Sequence, residues 1–178
     1  MVNESDCKII WGIAALGHDA SISVIKESHI VFAAHSERYS GIKNDQLLNH
    51  SIVNEANEFG PFDKVVYYER PILKKTRQLY AGQFKLAFDH KEMPQHHLNQ
   101  FNIKIDEYVD HHMSHAAGGY YTSPFHDAVV LTVDAMGEWD TVTIAIGNGD
   151  DLEIKERIKY PHSLGLLYSA FTQRCGLK

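Results

Sequence analysis

The sequence predicts an α/β protein, a mixed sheet flanked by helices, and three observations carry that prediction. Stretches of β-branched and aromatic residues alternate with stretches whose apolar residues recur at helical spacing. A run of three short β-rich segments opens the chain, and a second such run stands near residue 130, each followed by a helix with its own cap. The composition is that of an ordered globular protein, with 44% hydrophobic residues, 22% charged residues and five prolines among 178.

The first run comprises a buried strand over 7–16, then 20–26 and 29–35, joined by the Glu27-Ser28 turn. Asp45 is placed to cap a helix with Leu48, Ile52, Ala56 and Phe59 on one face, stopped by Gly60-Pro61. A strand over 63–69 follows, then a helix from Pro71 to about Phe88 with Leu79, Phe84 and Leu86 available for packing. Residues 89–102 read as a loop or short helix, and 103–109 as a strand. Asp110 stands where a helix over 111–121 would begin, with Ala116, Ala117, Gly118 and Gly119 suited to close packing. The second run covers 128–134, 141–147 and 152–160, and Ser163 caps a last helix whose leucines are expected to join the core.

A unit that starts twice in this way, each time with a three-stranded meander, is the layout of the actin, sugar-kinase and heat-shock-chaperone superfold, which is ribonuclease H-like. The first half is then 1–124 and the second 125–178, incomplete, so that the chain reads as part of a longer protein or a reduced homologue.

Seventeen basic against 23 acidic residues leave a formal charge of -6, which argues against general affinity for nucleic acid or an anionic membrane. Cys7 and Cys175 form no CxxC pair and fit a reducing compartment. No basic-then-apolar leader is read, and the apolar runs are too short to span a bilayer, so the expected location is cytoplasmic. Histidine is the unusual component: there are 12, five of them between His96 and His115.

The sharpest local signal is Asp110-His111-His112-Met113-Ser114-His115. At i and i+4 on a helix, His111 and His115 project from one face and can share an ion. Asp134, closing a predicted strand, is a candidate third ligand, and such a set suits iron(II), zinc or manganese. The plainer reading is a capping or surface pair. Gly17-His18-Asp19-Ala20-Ser21 lies in the turn between the first two strands, where small residues let backbone amides approach an anion and His18 can exchange a proton; a simple β-turn explains the same residues. Arg38 and Lys43 form either a phosphate-binding pair or an exposed charged loop. Asp134-Ala135-Met136-Gly137-Glu138 is the equivalent hairpin of the second meander.

Taken in order, GHDAS at 17–21, SERYSGIK at 36–43, VDHHMSHAA at 109–117, VDAMGE at 133–138 and YPHSLGLLYSAF at 160–171 resemble the carbamoyltransferases of nodulation-factor and antibiotic tailoring. The resemblance implies an N-terminal domain similar to the tRNA threonylcarbamoylation factors. In full-length members a C-terminal domain activates carbamoyl phosphate with ATP, and carbamoyl adenylate then passes its carbamoyl group to a hydroxyl of a small molecule. It further implies His111, His115 and Asp134 as ligands of iron or zinc, with another aspartate beyond residue 178, and His18 as the histidine of carbamoyl transfer. Asp19, Ser21, Arg38, Lys43 and Gly137 are the expected contacts to phosphate or nucleotide. The chain departs from the family pattern at Ser36, Asn44 and Ala135. A phosphotransferase or ATPase of the same superfold, or a binding module that kept only the fold, are the competing readings. Oligomeric state is not legible.

Overall fold

The computed structural model describes residues 8–177 and has the α/β character expected, with two sheets belonging to two compact units. The first unit runs through Tyr68 and takes in Phe88–Tyr108; the second joins Glu69–Ala87 to the chain from Val109 onward. Compactness thus divides the chain elsewhere than the repeat pattern at 124/125.

In the first unit the meander is β1 (Ile9–Ala14), β2 (Ser21–Lys26) and β3 (His29–His35), all antiparallel. The short helix α1 (Glu37–Ser40) and then α2 (His50–Asn57) follow. β4 (Lys64–Tyr67) returns parallel to β1, giving a mixed sheet of order β3-β2-β1-β4-β5, where β5 is Glu107–Tyr108. Burial alternates along β1 and β2, so Trp11, Ile13, Ile22 and Val24 face a core shared with Val65, Tyr67 and Leu98. Ile52, Val53 and Ala56 of α2 close that core.

Several expectations require correction. Asn49, rather than Asp45, caps α2, its side chain accepting from Ile52 N at 3.2 Å, while Asp45 is engaged by Leu47 N. Buried Leu48 and Val53 then occupy the N′ and N4 positions of a hydrophobic staple. The helix expected over 71–88 breaks into α3 (Pro71–Tyr80) and α4 (Phe84–Ala87), because Gly82 takes a left-handed φ of 72°. Leu79, Phe84 and Leu86 are exposed, and α3 instead buries Arg77 and Gln78. Residues 89–102 form α5 (Pro94–Leu98) between two 3₁₀ turns. Only Glu107–Tyr108 of the strand expected over 103–109 pairs, although Ile103 and Ile105 are buried. The Cys7 end of the first predicted strand lies outside the described residues; Cys175 is free and exposed.

The second unit contains α3, α4, α6 (His111–Tyr121), a second antiparallel meander of β6 (Asp127–Val133), β7 (Asp140–Asn148) and β8 (Asp151–Lys159), and α7 (Leu164–Arg174). α6 packs on β6 and β7 through Ala116 and Tyr120, the ring of Tyr120 lying where a Cβ on Gly147 would stand, at 2.4 Å. Gly118 and Gly119 meet nothing within 4 Å, so the close packing expected of them is absent. Leu164 and Leu167 of α7 are likewise exposed rather than core. Among the described residues no helix is long and apolar enough to cross a membrane.

Candidate metal centre

The strongest chemistry lies in the second unit, at the start of α6. Asp110 caps this helix, accepting from Met113 N at 3.0 Å, and one turn of helix brings the His115 and His111 Nε2 atoms to 3.1 Å. Asp134 follows β6, and its Oδ2 lies 2.9 Å from His111 Nε2 and 4.0 Å from His115 Nε2. Ligands about 2.1 Å from a tetrahedral ion stand about 3.4 Å apart, a value that these three separations bracket. Asp134 Oδ1 accepts from Ala135 N at 2.6 Å, which turns the other oxygen toward the histidines. Two imidazole nitrogens and one carboxylate oxygen, with His115 and Asp134 still open to solvent, form a donor set that fits iron(II) or zinc with a position to spare.

Burial pushes the His111 imidazole toward the neutral form, but hydrogen bonds and charge from Asp134 and Glu69 outweigh it and raise its pKa to about 9. The hydrogen bond to His111 is the main reason that Asp134 falls to about 2, against the opposing effect of burial. Burial and then the neighbouring His111 charge lower His115. The metal-free cluster is therefore a protonated imidazole against carboxylates, with a neutral imidazole beside it.

Three residues around the cluster, Glu69, Arg70 and Lys74, escaped the sequence reading. Glu69 Oε2 lies 3.3 Å from His111 Nδ1, and its Oε1 accepts from Lys74 Nζ at 2.7 Å. Arg70 donates to Asp110 Oδ2 at 2.6 Å and to Glu138 Oε2 at 2.6 Å, while its backbone N–H donates to Glu138 Oε1 at 2.6 Å. Their positions are distant in sequence, and the only local hint was an acid and a base ahead of Pro71.

Gly137 serves the cluster by what it lacks: a Cβ there would stand 2.8 Å from His111 Cδ2. Gly165 allows α7 to approach the Asp134–Ala135 backbone, with Ser163 Oγ donating to Ala135 O at 2.6 Å and accepting from Leu166 N at 3.0 Å. His112 is structural, bonded through Nδ1 to Thr132 Oγ1 at 2.6 Å and through Nε2 to Asp140 O at 2.9 Å. His97 is also structural, accepting from Leu48 N at 3.1 Å in the first unit.

The other predicted site residues, apart from Gly137, belong to the first unit. His18 is exposed in the β1–β2 turn, and a Cβ on Gly17 would stand 2.6 Å from the Tyr68 hydroxyl. Asp19 has a buried Oδ1 without a hydrogen-bond partner, and Ser21 opens β2. Arg38 and Lys43 are exposed on α1 and the loop after it.

Residues 67–178 match the family described as carbamoyltransferase N-terminus. An uncharacterised protein of Synechocystis is 30% identical over 95% of this chain and 32% of its own length. A nodulation protein, NolNO, of Sinorhizobium fredii is 26% identical over 85% of this chain and 24% of its own length. An uncharacterised protein of Methanocaldococcus jannaschii is 29% identical over 91% and 29%, respectively. The chain therefore spans about a quarter to a third of the length of these relatives. A solved structure from a study of the Aquifex aeolicus PPX-GPPA enzyme covers 92% of this chain and 56% of its own at 12% identity, with a TM-score of 0.44.

Proposed function

The chain belongs to the carbamoyltransferase family, and from that premise we propose that it forms the N-terminal part of an O-carbamoyltransferase holding a divalent metal, iron or zinc, on His111, His115 and Asp134. The observation that carries this reading is the meeting of the two Nε2 atoms and Asp134 Oδ2 within 4.8 Å of one another. Kinases of the actin and sugar-kinase superfold, to which we assign the twice-started fold, do not need such a histidine pair, so the cluster favours transfer of a carbamoyl group over phosphotransfer.

In the proposed reaction a carbamoyl group activated as carbamoyl adenylate, from carbamoyl phosphate and ATP, passes to the hydroxyl of a small-molecule acceptor. The acceptor oxygen forms a bond to the carbamoyl carbon, the bond from that carbon to the adenylate oxygen breaks, and AMP departs. Bound at the cluster, the metal supplies Lewis-acid polarisation of a carbamoyl or phosphoryl oxygen. His18, exposed in its turn, is assigned the proton of the attacking hydroxyl. Asp19, whose buried Oδ1 needs a donor, suits the carbamoyl NH₂. Arg38, Lys43 and Ser21 are assigned to phosphate, the two cations being exposed and the serine standing at a strand end. Gly137 is assigned to close approach at its hairpin. Activation of the carbamoyl donor and a fourth ligand, an aspartate, are assigned to the sequence that follows this stretch in the family.

Calorimetric titration with Zn²⁺, and with Fe²⁺ under anaerobic conditions, is expected to show about one equivalent bound, lost on His115→Ala and on Asp134→Ala. A wild-type chain that binds neither ion would overturn the metal reading. Carbamoyl phosphate added to labelled protein is expected to shift the amides of residues 17–21, and shifts confined elsewhere would remove the assignments to that turn.

A further inference from the structure

We propose that Glu69 is a positioning residue for the metal centre: its carboxylate holds the proton on His111 Nδ1, so that the lone pair of Nε2 faces the ion. The inference rests on the metal reading above and adds a residue with no place in the motifs that suggested it.

Glu69 is only 4% exposed, and a buried carboxylate needs partners for both oxygens. Lys74 Nζ takes Oε1 at 2.7 Å, which leaves Oε2 directed at His111 Nδ1 at 3.3 Å. The opposite ring nitrogen, Nε2, already faces Asp134 and His115 at 2.9 and 3.1 Å. An imidazole with a carboxylate behind one nitrogen and two ligand atoms before the other has one tautomer compatible with metal binding, protonated on Nδ1.

The backbone beside Glu69 is fixed to both ligand-bearing elements. Arg70 donates from its main chain and guanidinium to Glu138, four residues after Asp134, and from the same guanidinium to Asp110, the residue before His111. Gly137 leaves room for the ring on the hairpin side, where a Cβ would stand 2.8 Å from Cδ2 and 3.0 Å from Cγ. Glu69 is thus set against His111 by a clamp that also registers the start of α6 against the β6–β7 hairpin. Partners of this kind, hydrogen-bonded to the far nitrogen of a ligand histidine, change metal affinity by about 10- to 100-fold when removed.

The test compares Zn²⁺ affinity and the His111 ring nitrogens, by ¹⁵N-detected NMR of the zinc-loaded protein, in the wild type, Glu69→Gln and Glu69→Ala. Glu69→Ala is expected to lose about 10- to 100-fold in affinity and the hydrogen-bonded Nδ1–H signal. Glu69→Gln, whose amide oxygen still accepts, is expected to retain the Nδ1–H tautomer and lose less. Circular dichroism identifies an alanine variant that does not fold, and the glutamine variant then decides the matter: affinity and Nδ1 shift both equal to wild type would overturn the proposal. No zinc binding by the wild type would instead overturn the metal reading on which it depends. A purely structural Glu69 would lower the melting temperature of both variants without moving affinity or tautomer, and that result also refutes the positioning role.

Discussion

At the scale of single residues, His111 has two incompatible claims on it. Without an ion it is held protonated by Asp134 and Glu69, with a pKa of about 9 against the usual 6.5, and Asp134 is held ionised to about pH 2 against 3.8. The raised imidazole contributes stability that is fully present below pH 6.5 and is lost as pH rises through about 9. The depressed carboxylate contributes stability present above pH 3.8 and lost as pH falls through about 2. A metal needs the His111 lone pair, so loading at pH 7 is expected to release about one proton and affinity to rise up to about tenfold per pH unit toward pH 9. Titration in two buffers of different ionisation enthalpy measures that proton directly. Identical heats in both, with a pH-independent affinity, would show that His111 is neutral before the ion arrives. The i, i+4 histidines and their Asp110 cap were legible because both are local patterns on one helix. Glu69 was not, since it acts on His111 across 42 residues and no periodicity connects them.

At the scale of elements, what the cluster requires is a hairpin, Asp134 to Gly137, held between α6 and the first turn of α7. Ser163 was readable as a helix cap, and it does accept from Leu166 N, but its hydroxyl also donates into the hairpin backbone. Gly165 shows why that second function was invisible. Within a helix a glycine costs about 1 kcal/mol relative to alanine, so propensity alone favours Gly165→Ala. A Cβ there would meet Ala135 N at 2.5 Å and Asp134 C at 2.7 Å, and these are backbone atoms that no rotamer change can move. Overpacking of this kind costs about 1–3 kcal/mol, enough to offset the propensity gain or exceed it. Gly165→Ala is therefore expected to lower stability by up to about 2 kcal/mol and to weaken zinc binding by shifting Asp134. Chemical denaturation and zinc titration check both parts; a variant more stable than wild type with unchanged affinity would show that α7 docks without this contact.

At the scale of the whole chain, the repeated meander was legible from alternation and turns, and each unit does open its sheet with an antiparallel meander that leads to a side-chain-capped helix, after the short α1 in the first unit. What covers each sheet was not legible, because alternation reports that a face is apolar and leaves its partner unnamed. In the first unit β1 has β4 parallel along its outer edge and α2 packs on β2 and β3. In the second unit α6 covers the face of Thr132 and Ala145. The opposite face keeps Val129, Leu131, Val133, Ile144 and Ile146 between 39% and 73% exposed, and β6 pairs only with β7 among the described residues. Leu131 and Ile144 are cross-strand partners at the middle of that face. Contiguous apolar surface of this extent binds hydrophobic dyes and associates. The 178-residue chain is accordingly expected to enhance bis-ANS fluorescence under native conditions and to self-associate at high concentration in sedimentation velocity. Replacing both Leu131 and Ile144 by Lys is expected to reduce the dye signal at least several-fold with little change in circular dichroism, since both side chains already stand in solvent. A wild-type chain that ignores the dye would mean that this face is covered in solution, and the exposure assigned to it would then be wrong.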